Sequence, residues 1–266
     1  MKPGTVICSL SNNRMKNLIQ LQKKVKAREE QGIFVIEGLK MFEEARLAGL
    51  LTRACFSESF YDEKIQIDPG FFTSLDYDVV TDSLFKEISE TKTPQGVMGT
   101  VAKTKYSLED MAGHLNTFLL LLEDIRDPGN LGTMIRTAEG AGISGIILNS
   151  SCVDIYNPKV IRSTMGSIFR VPICQSEDFL QDIRKLKEQK IKIYAAHLSG
   201  ESYDTEGGFR GKCAILIGNE ANGLSEEASS MADNRIKIPM AGKVESLNAA
   251  VAAAILMYEA ARQRRE

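Results

Sequence analysis

The apolar positions of the first hundred or so residues change period several times. Over "RMKNLIQLQKKVKAREEQG", Met15, Leu18, Leu21 or Gln22, and Val25 recur at helical spacing before a glycine stop, which predicts one amphipathic helix. "IFVIEG" is a short continuous apolar run and predicts a strand. "LKMFEEARLAG" predicts a second helix with its own glycine terminator, and "LLTRACFS" a second strand. "YDVVTDSLFKEISE" predicts a strand, a cap at Thr81 or Asp82 and a helix, and "TPQGVMGTVAK" a closing strand entered through Pro94. These elements make a small α/β sandwich over residues 1–105.

Residues 106–114 are polar and weakly periodic, and are expected to be a linker. From residue 115 to 266 strand and helix patterns alternate again, with about six strands in all. Unbroken apolar strands such as "FLLLL" and "AILI" suit a parallel sheet covered by helices on both faces. Sites in such sheets lie at the carboxyl ends of the strands. Four segments there are rich in Gly, Asn and Glu: 124–132, 197–202, 218–225 and 239–248. The last helix contains "AAVAAAILM", apolar on every side, so it is expected to be buried all round, as a core helix or a subunit interface.

Composition narrows the class. Of 266 residues, 43% are hydrophobic and 26% charged, ordinary for a water-soluble globular chain. The start lacks an apolar stretch of signal-peptide type, and the apolar block near the C-terminus is about half of what a membrane span needs. Five scattered cysteines without a C-x-x-C and two distant histidines predict reduced thiols in a cytoplasm, with no zinc site and no disulfide framework. The net charge of −2 does not point to nucleic acid, but its distribution does. Residues 1–28 hold seven cations (Lys2, Arg14, Lys16, Lys23, Lys24, Lys26 and Arg28) and no acid, and the tail adds Arg262, Arg264 and Arg265. Such a local patch suits phosphate contact; the alternative is a solvated helix face.

Gly140, Gly142 and Gly145 spell G-x-G-x-x-G, but here a helix pattern precedes the glycines and a strand pattern follows them. A dinucleotide turn needs the reverse order, so the glycines read as a helix C-cap and a turn into a strand. Upstream, Pro128 and Gly129 turn the chain, and Asn130 can cap a helix beginning at Leu131. Arg136 lies four residues after Gly132, which would aim a guanidinium and free helix amides into one space, suited to a phosphate or an oxyanion. The plainer alternatives are a surface pair of Arg136 with Glu139, a first-turn acid at Glu220 and an N-cap at Ser246.

Three segments in order, "DPGNLGTMIRTAEGAG", "LIGNEANGLSEE" and "IKIPMAGKVESLNAAVAAAI", resemble the motif set of the SpoU (TrmH-type) RNA 2′-O-ribose methyltransferases of the SPOUT superfamily. The N-terminal region, through "FVIEGLKMFEEA" and "TPQGVMG", is similar to the substrate-binding domain of ribosomal-protein type carried by many members. The resemblance implies a deep C-terminal trefoil knot, S-adenosylmethionine as cofactor, methyl transfer to a ribose 2′-hydroxyl of ribosomal RNA rather than tRNA, a homodimer and no metal. It places Asn130, Arg136, Glu220, Ser246 and Asn248 at catalytic and substrate-positioning places, and Gly218, Ile238 and Leu247 where the cofactor is held. Because an arginine stays protonated, with a pKa above ~12, Arg136 is expected to stabilise a developing alkoxide and grip the adjacent phosphate rather than act as base. Two alternatives are a base-nitrogen methyltransferase, expected to need different chemistry at Asn130 and Arg136, and a non-catalytic RNA-binding or assembly protein, against which the five intact residues speak.

Overall fold

In the computed structural model, residues 5–204 and 208–265 are described. They form two compact units, one from the described residues up to 104 with 156–169, the other from 105–155 with those from 170 onward.

The first unit contains α1 (Asn13–Lys23), α2 (Val25–Gln31), β1 (Ile33–Glu37), α3 (Leu39–Leu47), β2 (Leu51–Ser57), α4 (Glu58–Ile67), β3 (Tyr77–Val80), α5 (Asp82–Ile88) and β4 (Val97–Ala102). Its sheet runs β1-β4-β2-β3, with β4 antiparallel to both neighbours and β3 parallel to β2. The single helix expected at the start is two. Lys24 is extended (φ −121°, ψ 117°), which rotates the apolar face, so Met15, Leu18, Leu21 and Gln22 are buried but Val25 is exposed. Arg28, expected on a basic surface, is only 3% exposed; its Nη1 donates to the carbonyls of Leu21 (2.5 Å) and Gln22 (3.0 Å), capping the end of α1. Thr81 rather than Asp82 caps α5, accepting from the Leu84 amide. Helix α4 had no sequence expectation: Ser57 caps it, but Tyr61 is its only buried residue, so it shows little periodicity.

The second unit begins with α6 (Leu108–Ala112), inside the expected linker. A capping box of Ser107 and Asp110 starts it, and Leu108, Met111 and Ala112 join the core. One turn offers too few apolar positions to show a period. In chain order there follow β5 (Phe118–Leu122), α7 (Pro128–Ala141), β6 (Gly145–Leu148), then α8 (Pro158–Thr164) of the first unit, and β7 (Ile173–Gln175), α9 (Phe179–Glu188), β8 (Lys192–Ser202), β9 (Cys213–Ile217), α10 (Glu226–Met231), β10 (Asn234–Lys237) and α11 (Ala249–Arg265). The six strands pair in parallel throughout, in the order β10-β8-β9-β5-β6-β7. Leu119, Leu121, Ile147, Ile193, Ala214 and Leu216 pack with α6, α9 and α10, while α11 packs against α7 and β9. Gly142 is left-handed (φ 76°) and ends α7 before β6, so the glycine triplet is a helix terminator.

Although α8 lies between β6 and β7 in the chain, it belongs to the first unit. Tyr156 and Phe169, which flank it, stack near Phe34 of β1, at 4.6 and 6.3 Å between ring centroids. A cut near residue 105 therefore leaves an apolar segment without its partners. The last helix is not buried all round. Val251 is 47% and Tyr258 50% exposed, with Ile255 half-buried between them, an uncovered apolar stripe at i, i+4, i+7. No helix among the described residues is long and apolar enough to cross a membrane.

Candidate active site

From β5 the chain builds outward through β6 to β7, then fills the other side through β8, β9 and β10. The order reverses between β5 and β9, where the loops after both strands face a common crevice. The structure joins those two loops by side chains. Asn219 Nδ2 donates to the Asp124 carbonyl at 2.8 Å, and Asn130 Nδ2 donates to Glu220 Oε1 at 2.7 Å. From the third segment, Asn248 Nδ2 donates to Asn130 Oδ1 at 3.1 Å. The carboxamide of Asn130 is thus pinned at both ends, which fixes its orientation and leaves its second N–H to a ligand.

Local chemistry sets each partner. Helix α7 starts one turn earlier than expected, because Pro128 takes its first position and Asp127 caps it, accepting from the Asn130 amide at 2.8 Å. Asn130 is freed from capping and its side chain turns to Glu220. Asn248, not Ser246, caps α11, its Oδ1 accepting from the amides of Ala250 (2.9 Å) and Val251 (3.3 Å). Ser246 lies two residues before the cap, exposed. Beneath the Asp124 loop, Cys152 Sγ accepts from the Ile125 amide at 3.3 Å, and burial pushes this thiol up to about 11. It is a packing post rather than a nucleophile.

Beside the Asn130–Glu220–Asn248 chain lies a cleft of about 300 Å³, at the lower end of the range for small-molecule sites. Gly218, Glu220, Ile238, Ser246 and Leu247 all line it, and Ile217, Ile236 and Leu256 give it apolar walls. At Gly218 the chain folds back on itself: an added Cβ would lie 2.3–2.4 Å from the backbone of Gly223 and Leu224. Bare backbone edges between apolar walls fit an adenosine-bearing cofactor, whose ring needs flat apolar contact and whose polar rim needs backbone partners.

Arg136 stands apart. It is exposed on α7 and, among the described residues, has neither an ion pair nor a hydrogen-bond partner. The pair with Glu139 does not form, because Glu139 binds Arg170, whose Nη2 lies 3.1 Å from Oε2. The cradle of guanidinium and free helix amides does not form either. Arg136 is eight residues past Pro128, about 12 Å along the axis, and Asp127 already holds one first-turn amide. Sequence reasoning missed Asp124, Asp127 and Asn219, the residues that hold the loops together. The signal for Asp124 is absent, since its left-handed backbone (φ 56°) is a property of the folded loop.

Residues 117–258 match the SpoU rRNA Methylase family, and residues 12–99 match the MRM3-like substrate binding domain. The chain is 31% identical over 250 residues to the 23S rRNA (guanosine(2553)-2′-O)-methyltransferase RlmP of Bacillus subtilis, covering 94% of this chain and 96% of that one. It superposes on an AdoMet-bound rRNA methyltransferase from Sinorhizobium meliloti with a TM-score of 0.84 and 31% identity, over 97% of each chain. The SpoU methyltransferase AviRb from Streptomyces viridochromogenes, in complex with AdoMet, gives a TM-score of 0.85 at 25% identity, over 96% of this chain and 99% of that one.

Proposed function

The chain belongs to the SpoU rRNA methylase family, and from that premise we propose that it transfers the methyl group of S-adenosylmethionine to a ribose 2′-hydroxyl of ribosomal RNA. The observation that carries the reading is the hydrogen-bonded chain Asn248–Asn130–Glu220, set at the reversal of strand order against a cleft that fits the cofactor. When bound, S-adenosylmethionine supplies an electrophilic methyl on a positive sulfur. Gly218, Ile238 and Leu247 hold it through backbone and apolar contact. Asn130 offers its free N–H, and Glu220 its second carboxylate oxygen, to the ribose; Asn248 keeps Asn130 oriented, and Ser246 faces the cleft as a further hydroxyl contact. Arg136, with no partner to release among the described residues, grips the neighbouring phosphate and stabilises charge developing on the 2′-oxygen. Reverse-transcription stops at low dNTP on total RNA, with and without the gene, test the reading. Loss of one rRNA stop in the deletion strain is expected; identical stop patterns would refute it.

The first unit is the RNA-gripping part of this proposal, and the structure narrows its contact set. Arg28 is buried, Arg14 pairs with Asp78 at 2.6 Å, Lys26 pairs with Glu30 at 3.7 Å, and Lys2 lies outside the described residues. Lys16, Lys23 and Lys24 remain, exposed along α1 and its end. Replacing all three by Ala should weaken RNA binding and flatten its salt dependence by up to roughly one unit of slope per lost phosphate contact. A titration of RNA affinity against salt checks this, and an unchanged slope returns them to a solvated face.

The trefoil knot, the homodimer and a cytoplasmic location belong to the same proposal. The knot is supported by the way segments 217–224, 236–240 and 245–249 converge on one cleft. The homodimer is supported by the bare stripe Val251–Ile255–Tyr258, which a second copy would cover. Val251→Asp should shift the protein to monomer in sedimentation equilibrium; an unchanged mass would place the interface elsewhere. The location is supported by five cysteines that are all free.

A further inference from the structure

Strand β8 does not run evenly along β10. Tyr194 and Ala195 pair with Asn234 and Arg235, but the next β10 residue, Ile236, pairs with Glu201. Five residues of β8, 196–200, therefore stand opposite no residue of β10. Gly200 closes the excursion, since a Cβ there would lie 2.5 Å from the backbone of Arg235 and Ile236. Extra residues in a strand re-aim side chains, and they concentrate beside sites. Here they carry Ala196, His197 and Leu198 to the wall of the cleft.

His197 is one of two histidines in the chain and is half-buried. Its Nδ1 faces the Ser199 amide at 3.2 Å and the Ser199 hydroxyl at 2.8 Å. A backbone N–H can only donate, so Nδ1 is an acceptor and the neutral ring carries its proton on Nε2. Nothing among the described residues engages Nε2. A ring locked in this way presents a donor and cannot take a proton at its free nitrogen, so it suits binding rather than base catalysis.

Resting on the reading that the cleft holds S-adenosylmethionine, we propose that His197 donates a hydrogen bond from Nε2 to an acceptor of the bound cofactor, with Ser199 as the residue that fixes its tautomer. The test uses the full chain and S-adenosylhomocysteine, the thioether left after methyl transfer, so that no turnover intervenes. By calorimetry His197→Ala should bind it about three- to tenfold more weakly, the range for one net hydrogen bond, and Ser199→Ala should lose less. In nitrogen NMR, with His114→Asn simplifying assignment, the Nε2 signal of His197 should move on saturation while Nδ1 keeps its acceptor position. Wild-type affinity in His197→Ala, or a stationary Nε2 signal, overturns the proposal. A wild-type protein that fails to bind S-adenosylhomocysteine at all would instead overturn the function from which it starts.

Discussion

Arg136→Ala should lower kcat by ~10²–10³ while leaving cofactor affinity within about twofold, the pattern of a group that acts on charge present only in the transition state. The structure separates this outcome from a stability effect. Arg136 is exposed and makes no ion pair or hydrogen bond among the described residues, so its removal breaks nothing in the resting protein. Glu139, the obvious surface partner, remains held by Arg170 in the variant. Thermal unfolding should therefore be unchanged, since surface substitutions away from specific contacts cost within about 0.5 kcal/mol. Arg136→Lys should recover only part of the rate, because a point charge cannot present a planar fork to a phosphate and an oxygen together. Single-turnover methyl transfer to rRNA from a deletion strain gives the rate, and calorimetry gives the affinity. A fully active Arg136→Ala enzyme would end this role for the residue.

Much of the architecture was legible because its signals are local. The six strands of the second unit were each bounded by glycine, proline or a change of period, and runs such as Phe118–Leu122, buried on both faces, read directly as parallel-sheet core. The partners of each segment were not legible. Nothing in the apolar pattern of Pro158–Thr164 says that it packs with the first unit, because helical spacing reveals that a face is buried and not against what. Nor does "KVKAREEQG" reveal that Arg28 turns inward to meet the carbonyls ending α1. At the site, resemblance singled out Asn130, Glu220 and Asn248 as separate residues. Their joining into one hydrogen-bonded chain, with Asp127 taking over the cap, is a property of the folded loops. The excursion at 196–200 was not legible, although it overlaps the segment 197–202 singled out beside the strand ends, since register is set between strands and not within one.

The loop at Gly218, proposed to hold the cofactor, yields the second large effect. Gly218→Ala should weaken S-adenosylhomocysteine binding by ~10- to 100-fold, corresponding to the roughly 1–3 kcal/mol that forced overpacking costs. The new Cβ would lie 2.3 Å from the Gly223 carbonyl carbon and 2.4 Å from its oxygen and from the Leu224 nitrogen, all backbone atoms that no side-chain rotation can move. The loop cannot yield alone. Asn219 and Gly223 exchange backbone hydrogen bonds at 3.0 and 2.9 Å, and Asn219 Oδ1 accepts from the amides of Ala221 and Asn222. Relief of the clash must therefore shift Glu220, which holds Asn130 at 2.7 Å, and strain Ser225, whose hydroxyl and amide are bound by Glu123 at 2.7 and 2.8 Å. One methyl group is thus expected to disturb the cleft proposed for the cofactor and the Asn248–Asn130–Glu220 chain proposed to position the ribose, lowering affinity and rate in the same variant. Gly242→Ala is the matched control, because nothing lies within 4 Å of a Cβ added there, although the loop lies beside the same cleft. It should bind as wild type does. Gly223→Ala, where the added Cβ also meets nothing but the backbone is left-handed (φ 70°), should fall between them, at about 1–2 kcal/mol of strain. If Gly218→Ala bound the ligand like the Gly242 control, close backbone approach would not be what shapes this cleft.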